Sequence, residues 1–336
     1  MSYKKVILNE FGGPEVLKVV EENNLPEPGV GEVRVRVLAA SATFTDTLVR
    51  KGIYFGFKET PPLSPGYDMV GVVDKLGEGV TGLAVGQKVS DLTVWGAYSE
   101  YMIREADSLV PVPADISPAD AVSMVLSYVS AYQMLHRVAK VKRGQSILVH
   151  GAGGAVGTAF LELGKLFDLK IYGTASSSKK EIVEELGAVH IDYAKEDFVP
   201  QIQDQGGCDA AFDFINGENF KRSFRSLKKG GILVPYGFYN DAMGEGSNIP
   251  LDYTKIALWN ILPNGRKTAF YSIGGLRKKK PEWFKDDLGA LFDLLQAGKI
   301  KPAIERYMKL EDAKEAHELI EQAAVKGRIV LDVGEL

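Results

Sequence analysis

Hydrophobic and polar positions change rhythm twice along this chain. Near the start they alternate: Val33-Arg-Val-Arg-Val-Leu38 has period two, and shorter strand-like runs follow at 70–73 and 87–90. Turn signals at Pro28-Gly29, Gly77-Glu-Gly79 and Val85-Gly86 separate these runs. Short strands punctuated this closely predict a small barrel-like β domain.

Near residue 117 the period lengthens. Ser117-Pro118 opens a helix with proline at its first position, and apolar residues recur at helical spacing to Leu135. From Ser146 strands and helices alternate. An apolar strand at 146–150 enters a glycine-rich turn and a helix ending near Phe167. A strand at 169–173 precedes a helix at 179–186, a strand at 209–215 precedes a helix at 220–227, and a strand follows at 232–236. Such alternation predicts a doubly wound parallel sheet with helices on both faces. Two amphipathic helices, 286–296 and 311–323, and a strand at 328–333 close the chain. These last elements are free to return to the first domain.

Composition narrows the class. At 336 residues the chain exceeds what one core usually organises, so two domains are expected. A formal charge of −4 gives no electrostatic reason for a polyanionic partner, and nucleic acid is not expected. The basic run Arg277-Lys-Lys-Lys280 reads as a solvated loop. Cys208 is the only cysteine, which rules out an intramolecular disulfide and a thiolate-rich metal cage. No apolar run spans a bilayer and the first residues do not read as a signal peptide, so a cytoplasmic, membrane-free protein is expected.

The segment from Gly151 through Ala152, Gly153, Gly154, Ala155 and Val156 to Gly157 lies where a strand yields to a helix. It is a variant of the glycine fingerprint that lets a backbone approach a pyrophosphate and presents helix N–H groups to it. An NAD site wants an acid about 20 residues further on. Here the second strand runs out into Gly173-Thr-Ala-Ser-Ser-Ser-Lys-Lys180, which carries hydroxyls and lysines and no acid. That composition suits the 2′-phosphate of NADP(H), although Ser176 to Ser178 also suit a helix cap.

These residues, with Phe11-Gly-Gly-Pro-Glu-Val-Leu17, Pro65-Gly-Tyr-Asp-Met-Val-Gly71, Gly96-Ala-Tyr-Ser-Glu-Tyr101, Val129-Ser-Ala-Tyr132, Ala316-His-Glu-Leu319 and Lys326-Gly-Arg328, resemble the medium-chain dehydrogenase/reductase superfamily. The likeness is to its zinc-independent quinone oxidoreductase branch, which includes zeta-crystallin. The resemblance implies an α/β chain: a GroES-like β-barrel catalytic domain plus a Rossmann domain with a doubly wound parallel sheet. The expected segments are 1–125 for the catalytic domain, 126–275 for the Rossmann domain, and 276–336 completing the first. It implies a homodimer and an active site in the cleft. It places Ser176, Lys179 and Tyr193 around the 2′-phosphate, with Lys180 one step from that role. Ser130 stands where the family has a threonine near the nicotinamide, and Phe238 lies along the cofactor. Thr43 takes a pocket position where the family often has asparagine, as does Ser127 in the helix facing the cofactor.

The zinc-dependent members carry Gly-His-Glu where this chain has Gly66-Tyr67-Asp68, and no cysteine precedes Cys208. No metal site is expected. Similar enzymes place tyrosines in this cleft, so the resemblance makes Tyr54 and Tyr67 the candidate proton donors or oxygen-polarising groups. Asp46 and Asp68 read as solvated carboxylates near pKa ~4, poor donors at neutral pH. The activity implied is NADPH-dependent reduction of a small electrophile, a quinone or an α,β-unsaturated carbonyl. The alternatives are an enoyl-thioester reductase and an NADPH-binding protein with little catalysis, in a structural or RNA-binding role. Substrate-pocket residues are expected in the loops 53–62 and 239–248.

Overall fold

The computed structural model describes residues 1–244, 249–261 and 263–334, so the end of the second expected pocket loop, 245–248, lies outside the described residues. The chain packs into two compact units, Met1–Leu126 with Leu288–Leu336, and Ser127–Asp287.

In the first unit, β1 (Tyr3–Ile7) and β2 (Lys18–Glu22) form a small antiparallel pair. The alternating segment of the sequence is β3 (Glu32–Ala42), and helix α1 (Phe44–Arg50) follows it directly. Strands β4 (Met69–Leu76), β5 (Lys88–Asp91), β6 (Tyr101–Glu105) and β7 (Val110–Pro111) continue the unit to helix α2 (Pro118–Ser123). Ser117 caps α2 by accepting a hydrogen bond from the Asp120 N–H, with Pro118 at the first position.

The helical pattern does not run unbroken to Leu135. Met124–Tyr128 and Met134–Val138 are π-helical, on either side of α3 (Val129–Gln133). Such wide turns shift the side-chain register within one apolar run, which periodicity alone does not reveal.

The second unit contains β8 (Ser146–His150), α4 (Ala155–Leu166), β9 (Lys170–Ala175), α5 (Lys180–Glu185), β10 (Val189–Asp192), α6 (Phe198–Gln203), β11 (Cys208–Asp213), α7 (Glu218–Arg225) and β12 (Leu227–Pro235). Helices α8 (Tyr239–Ala242) and α9 (Ile249–Trp259) lead to the short strand β13 (Lys267–Thr268). The sheet is parallel throughout, in the order β10-β9-β8-β11-β12-β13. This is the Rossmann order, and it reverses between β8 and β11, where such sheets bind ligands beyond the strand ends. Leu148, Phe212, Phe220, Leu233 and their neighbours are buried among the layers of this unit.

Helix α10 (Ile273–Lys279) corrects one expectation. Arg277, Lys278 and Lys279 are its last turn, not a loop, and Lys280 is its C-cap. The physical reason is the helix dipole: cations are favoured beside the unpaired carbonyls of a C-terminus. The Arg277 guanidinium also lies over an aromatic face, 4.6 Å from the Phe284 ring centroid.

Helix α11 (Pro281–Gln296) carries the chain back into the first unit, where β14 (Ile304–Lys309), α12 (Ala313–Glu321) and β15 (Arg328–Asp332) complete its sheet. The order there is β14-β15-β3-β4-β5-β7, with β6 also on β3. Val35, Val37, Met69, Val89, Ile329 and Leu331 form its buried interior. Among the described residues no helix is long and apolar enough to cross a membrane.

Candidate functional site

In the second unit the glycine turn leaves β8 at the reversal of strand order. Gly151 has φ +63°, and a methyl group there would lie 2.5 Å from the ring of Phe214. At 157 a methyl would meet the Gly151 carbonyl oxygen at 2.2 Å, so only glycine lets α4 pack this closely on its own turn. Gly154 is the N-cap of α4, in an extended conformation and without a side-chain cap hydrogen bond. The first intrahelical bond is Thr158 N–H to the Gly154 carbonyl, at 2.8 Å. The N–H groups of Ala155, Val156 and Gly157 therefore lack helical acceptors and suit an anion, aided by the dipole. Ala152 is buried, and its N–H donates to the Thr174 carbonyl at 3.0 Å, tying the turn to β9.

Lys179 reaches this turn. Its aliphatic stem crosses Gly153, where a methyl group would meet the Lys179 Cβ at 2.7 Å and Cδ at 2.8 Å. Lys180 instead lies on α5 with Glu184 at 3.8 Å. The Ser176 hydroxyl contacts that of Ser178 at 2.9 Å, and Tyr193 is 61% exposed just beyond β10. Ser176, Lys179 and the glycine turn thus come from neighbouring strand ends.

An acid does stand nearby, on the third strand rather than the second. Asp192 ends β10, accepts the Ser177 hydroxyl, and pairs with Lys195 at 3.2 Å. The Ser177 bond, the Ala194 N–H and Lys195 lower its pKa to about 2. Sequence spacing does not find it, because parallel pairing of Ala175 with Asp192 brings the two strand ends together.

Ser130 is buried on α3, and Ser127 is buried in the preceding π turn. Phe238 is the N-cap residue of α8 and stacks on Phe270 with centroids 5.9 Å apart. Phe214, which no sequence motif singles out, covers Gly151 and lies 5.7 Å from the rings of both Tyr236 and Tyr239.

In the first unit the two candidate tyrosines meet. The Tyr54 and Tyr67 hydroxyls are 2.7 Å apart, with the rings edge to face. Burial raises the Tyr54 pKa, opposed by the Tyr67 hydrogen bond and reinforced by Asp46. The Tyr54 phenol is therefore protonated at neutral pH and able to donate. Thr43 caps α1 in a capping box with Asp46: its hydroxyl donates to the Asp46 carboxyl at 2.6 Å, and the Asp46 N–H returns a bond at 3.3 Å.

The carboxyls correct a second expectation. Asp46 and Asp68 are not solvated but fully buried. Burial raises Asp46 to about 7, and bonds from Thr43 and the Gly66 N–H only partly oppose it, while Asp68 adds to it. Asp68 is raised to about 6, again mainly by burial, with Arg328 opposing. Its Oδ1 accepts the Ser41 N–H at 2.9 Å, and its Oδ2 has no hydrogen-bond partner among the described residues. Taking a carboxylate out of water favours the protonated form, so Asp46 keeps its proton to far higher pH than a solvated carboxyl. Among the described residues no group of three or more His, Cys, Asp or Glu side chains could hold a metal ion.

Two family models match: an alcohol dehydrogenase GroES-like domain over residues 29–114, and a zinc-binding dehydrogenase domain over 186–331. The chain belongs to the medium-chain dehydrogenase/reductase superfamily. It is 29% identical over 343 residues to the zebrafish (Danio rerio) synaptic vesicle membrane protein VAT-1 homolog, covering 98% of this chain and 70% of that one. It is 29% identical over 331 residues to the mouse (Mus musculus) quinone oxidoreductase, covering 96% and 95%. The Escherichia coli quinone oxidoreductase solved with NADPH superposes with a TM-score of 0.86 at 26% identity, covering 98% of this chain and 99% of that one. The superfamily's GroES-like and Rossmann folds account for the antiparallel and parallel sheets described above.

Proposed function

We propose that this protein is a zinc-independent, NADPH-dependent reductase of quinones or α,β-unsaturated carbonyls. The observation that carries the reading is Lys179 lying across Gly153, which joins a 2′-phosphate ligand to a pyrophosphate turn. The residues fit the cofactor. Gly151 and Gly157 keep the turn free of side chains, and the start of α4 offers N–H groups to the pyrophosphate. Lys179 and the hydroxyl of Ser176 serve the 2′-phosphate, with the exposed Tyr193 just past the end of the neighbouring strand. Asp192 does not oppose this assignment, because Ser177, Ala194 and Lys195 already occupy its oxygens. When bound, NADPH supplies the hydride.

In the first unit Tyr54 and Tyr67 supply what a carbonyl acceptor needs. The Tyr54 hydroxyl, protonated at neutral pH and able to accept from Tyr67, can donate its own proton to the substrate oxygen. Asp46, near neutrality, is a reserve of protons close enough to act on the Tyr54 charge state. Zinc is not required in this reading. The Tyr67 phenol and a buried Asp68 stand where zinc-dependent relatives carry His-Glu, and the sole cysteine begins β11 in the other unit. A quinone or enone is already electrophilic and needs positioning and modest polarisation rather than a metal-bound alkoxide.

The test is direct titration of the protein with each nucleotide, followed by nucleotide fluorescence. NADPH is expected to bind at least tenfold more tightly than NADH. Tighter binding of NADH would refute the reading of the β9 end.

A further inference from the structure

Below the glycine turn lies a line of buried polar side chains that the proposed chemistry does not use. His150, the last residue of β8, is almost fully buried. Its Nδ1 is 2.8 Å from the Thr174 hydroxyl on β9, and its Nε2 is 2.8 Å from the Ser223 hydroxyl on α7. Ser223 lies 2.6 Å from Oδ2 of Asp213, the last residue of β11.

Counting protons gives this line a direction. Asp213 accepts four donors: the Ser223 hydroxyl, the Asn219 amide at 2.9 Å, and the N–H groups of Ile215 and Asn216. Ser223 therefore spends its only proton on Asp213 and must accept from His150. That makes His150 the neutral Nε2–H tautomer, whose bare Nδ1 accepts from Thr174. The chain runs one way, from Thr174 through His150 and Ser223 to Asp213. Burial, which lowers the His150 pKa, and the nearby Arg222 keep the ring neutral against the pull of Asp213.

We propose that Thr174, His150, Ser223 and Asp213 are positioning residues for the nucleotide, fixing three strand ends beneath the turn that holds it. The reason lies in the residues that succeed these strands. Gly151 comes directly after His150 and Phe214 directly after Asp213, and the two touch closely enough that a methyl at 151 would strike the Phe214 ring. Thr174 adds a second tie, since its carbonyl accepts the Ala152 N–H within the turn. The chain of side chains therefore sets how far β8, β9 and β11 extend toward the pyrophosphate. Ser223 and Thr174 reach no nucleotide themselves; they act through the turn, and their loss weakens NADPH and NADH alike. This proposal rests on the cofactor reading above.

The experiment compares Ser223→Ala, Thr174→Val and Thr174→Ser with the wild type, using nucleotide titrations and ¹⁵N-resolved imidazole NMR. The His150 signal is identified by its loss in His150→Gln. At pH 7 the wild type is expected to show a neutral ring with Nε2 protonated. Ser223→Ala and Thr174→Val should each weaken both nucleotides by the same factor, about tenfold, as for one lost buried hydrogen bond. Thr174→Ser, which keeps the donor, should restore affinity. An Nδ1–H or doubly protonated His150 overturns the direction of the chain. A wild type that binds nucleotide, with both variants binding equally well, overturns this proposal alone. A wild type that binds neither nucleotide overturns the cofactor reading and this proposal with it.

Discussion

At the scale of single residues, Lys179 and Asp46 separate what the sequence discloses from what folding adds. Lys179 is legible in the sequence because a strand end that lacks an acid and carries hydroxyls and lysines has a chemical meaning of its own. The choice between Lys179 and Lys180 is not legible there. One register step decides it, and in the folded chain Lys179 crosses Gly153 while Lys180 sits by Glu184. A charge-assisted hydrogen bond to phosphate is worth ~1.5–3 kcal/mol. Lys179→Ala should therefore raise the NADPH Michaelis constant about ten- to a hundredfold with little effect on NADH. Lys180→Ala should change neither, and steady-state kinetics with both nucleotides reads the difference. The burial of Asp46 has no sequence signal, because it depends on the Gly66 N–H, which distant segments bring to it at 3.1 Å. A carboxyl whose folded pKa is raised favours folding fully only below its unfolded value, near ~4. That contribution is lost as pH rises through about 6 for Asp68 and about 7 for Asp46. Between pH 5 and 8 the wild type should lose ~1–3 kcal/mol of stability relative to Asp46→Asn, measured by denaturant unfolding at each pH. A wild type that gains stability over this interval relative to the variant would contradict the buried, protonated Asp46.

At the scale of elements, period and punctuation tell strands from helices, and the glycine turn marks where β8 ends. The π turns around α3 are hidden because they change the winding without changing the apolar pattern. The basic end of α10 is hidden because charge density reads as a loop unless the dipole that favours it is considered. Phe214 carries no signal at all: its place over Gly151 follows from the parallel pairing of β8 with β11, a contact between residues 63 apart in sequence. The element on which the cofactor reading depends is the turn from β8 into α4. Gly157→Ala puts a methyl group 2.2 Å from the Gly151 carbonyl, so the helix must move off its turn. The variant should lose ~1–3 kcal/mol of stability and bind NADPH at least tenfold more weakly, read by unfolding and titration. Unchanged NADPH affinity would mean that the turn does not hold the pyrophosphate.

At the scale of the whole molecule, length and composition ask for two cores, and the chain has two compact units. The order of the parallel strands is not written in any local pattern. It arises from right-handed crossovers on a twisted sheet, which place the glycine strand at the centre and expose its end at the reversal point. At the same scale the glycine turn and Lys179 lie in the second unit, and the Tyr54–Tyr67 pair and the buried carboxyls lie in the first. The relatives carry two different names, quinone oxidoreductase and synaptic vesicle membrane protein VAT-1 homolog, so sequence likeness alone does not decide the activity. Anaerobic NADPH oxidation decides it, with a matched set of quinones, enals, enones, enoyl thioesters and primary alcohols presented to the protein before and after chelation. The expected result is turnover of electron-poor quinones or conjugated carbonyls at a rate that chelation leaves unchanged, with simple alcohols untouched. Activity lost together with about one zinc per chain, or inertness toward every acceptor, would contradict it.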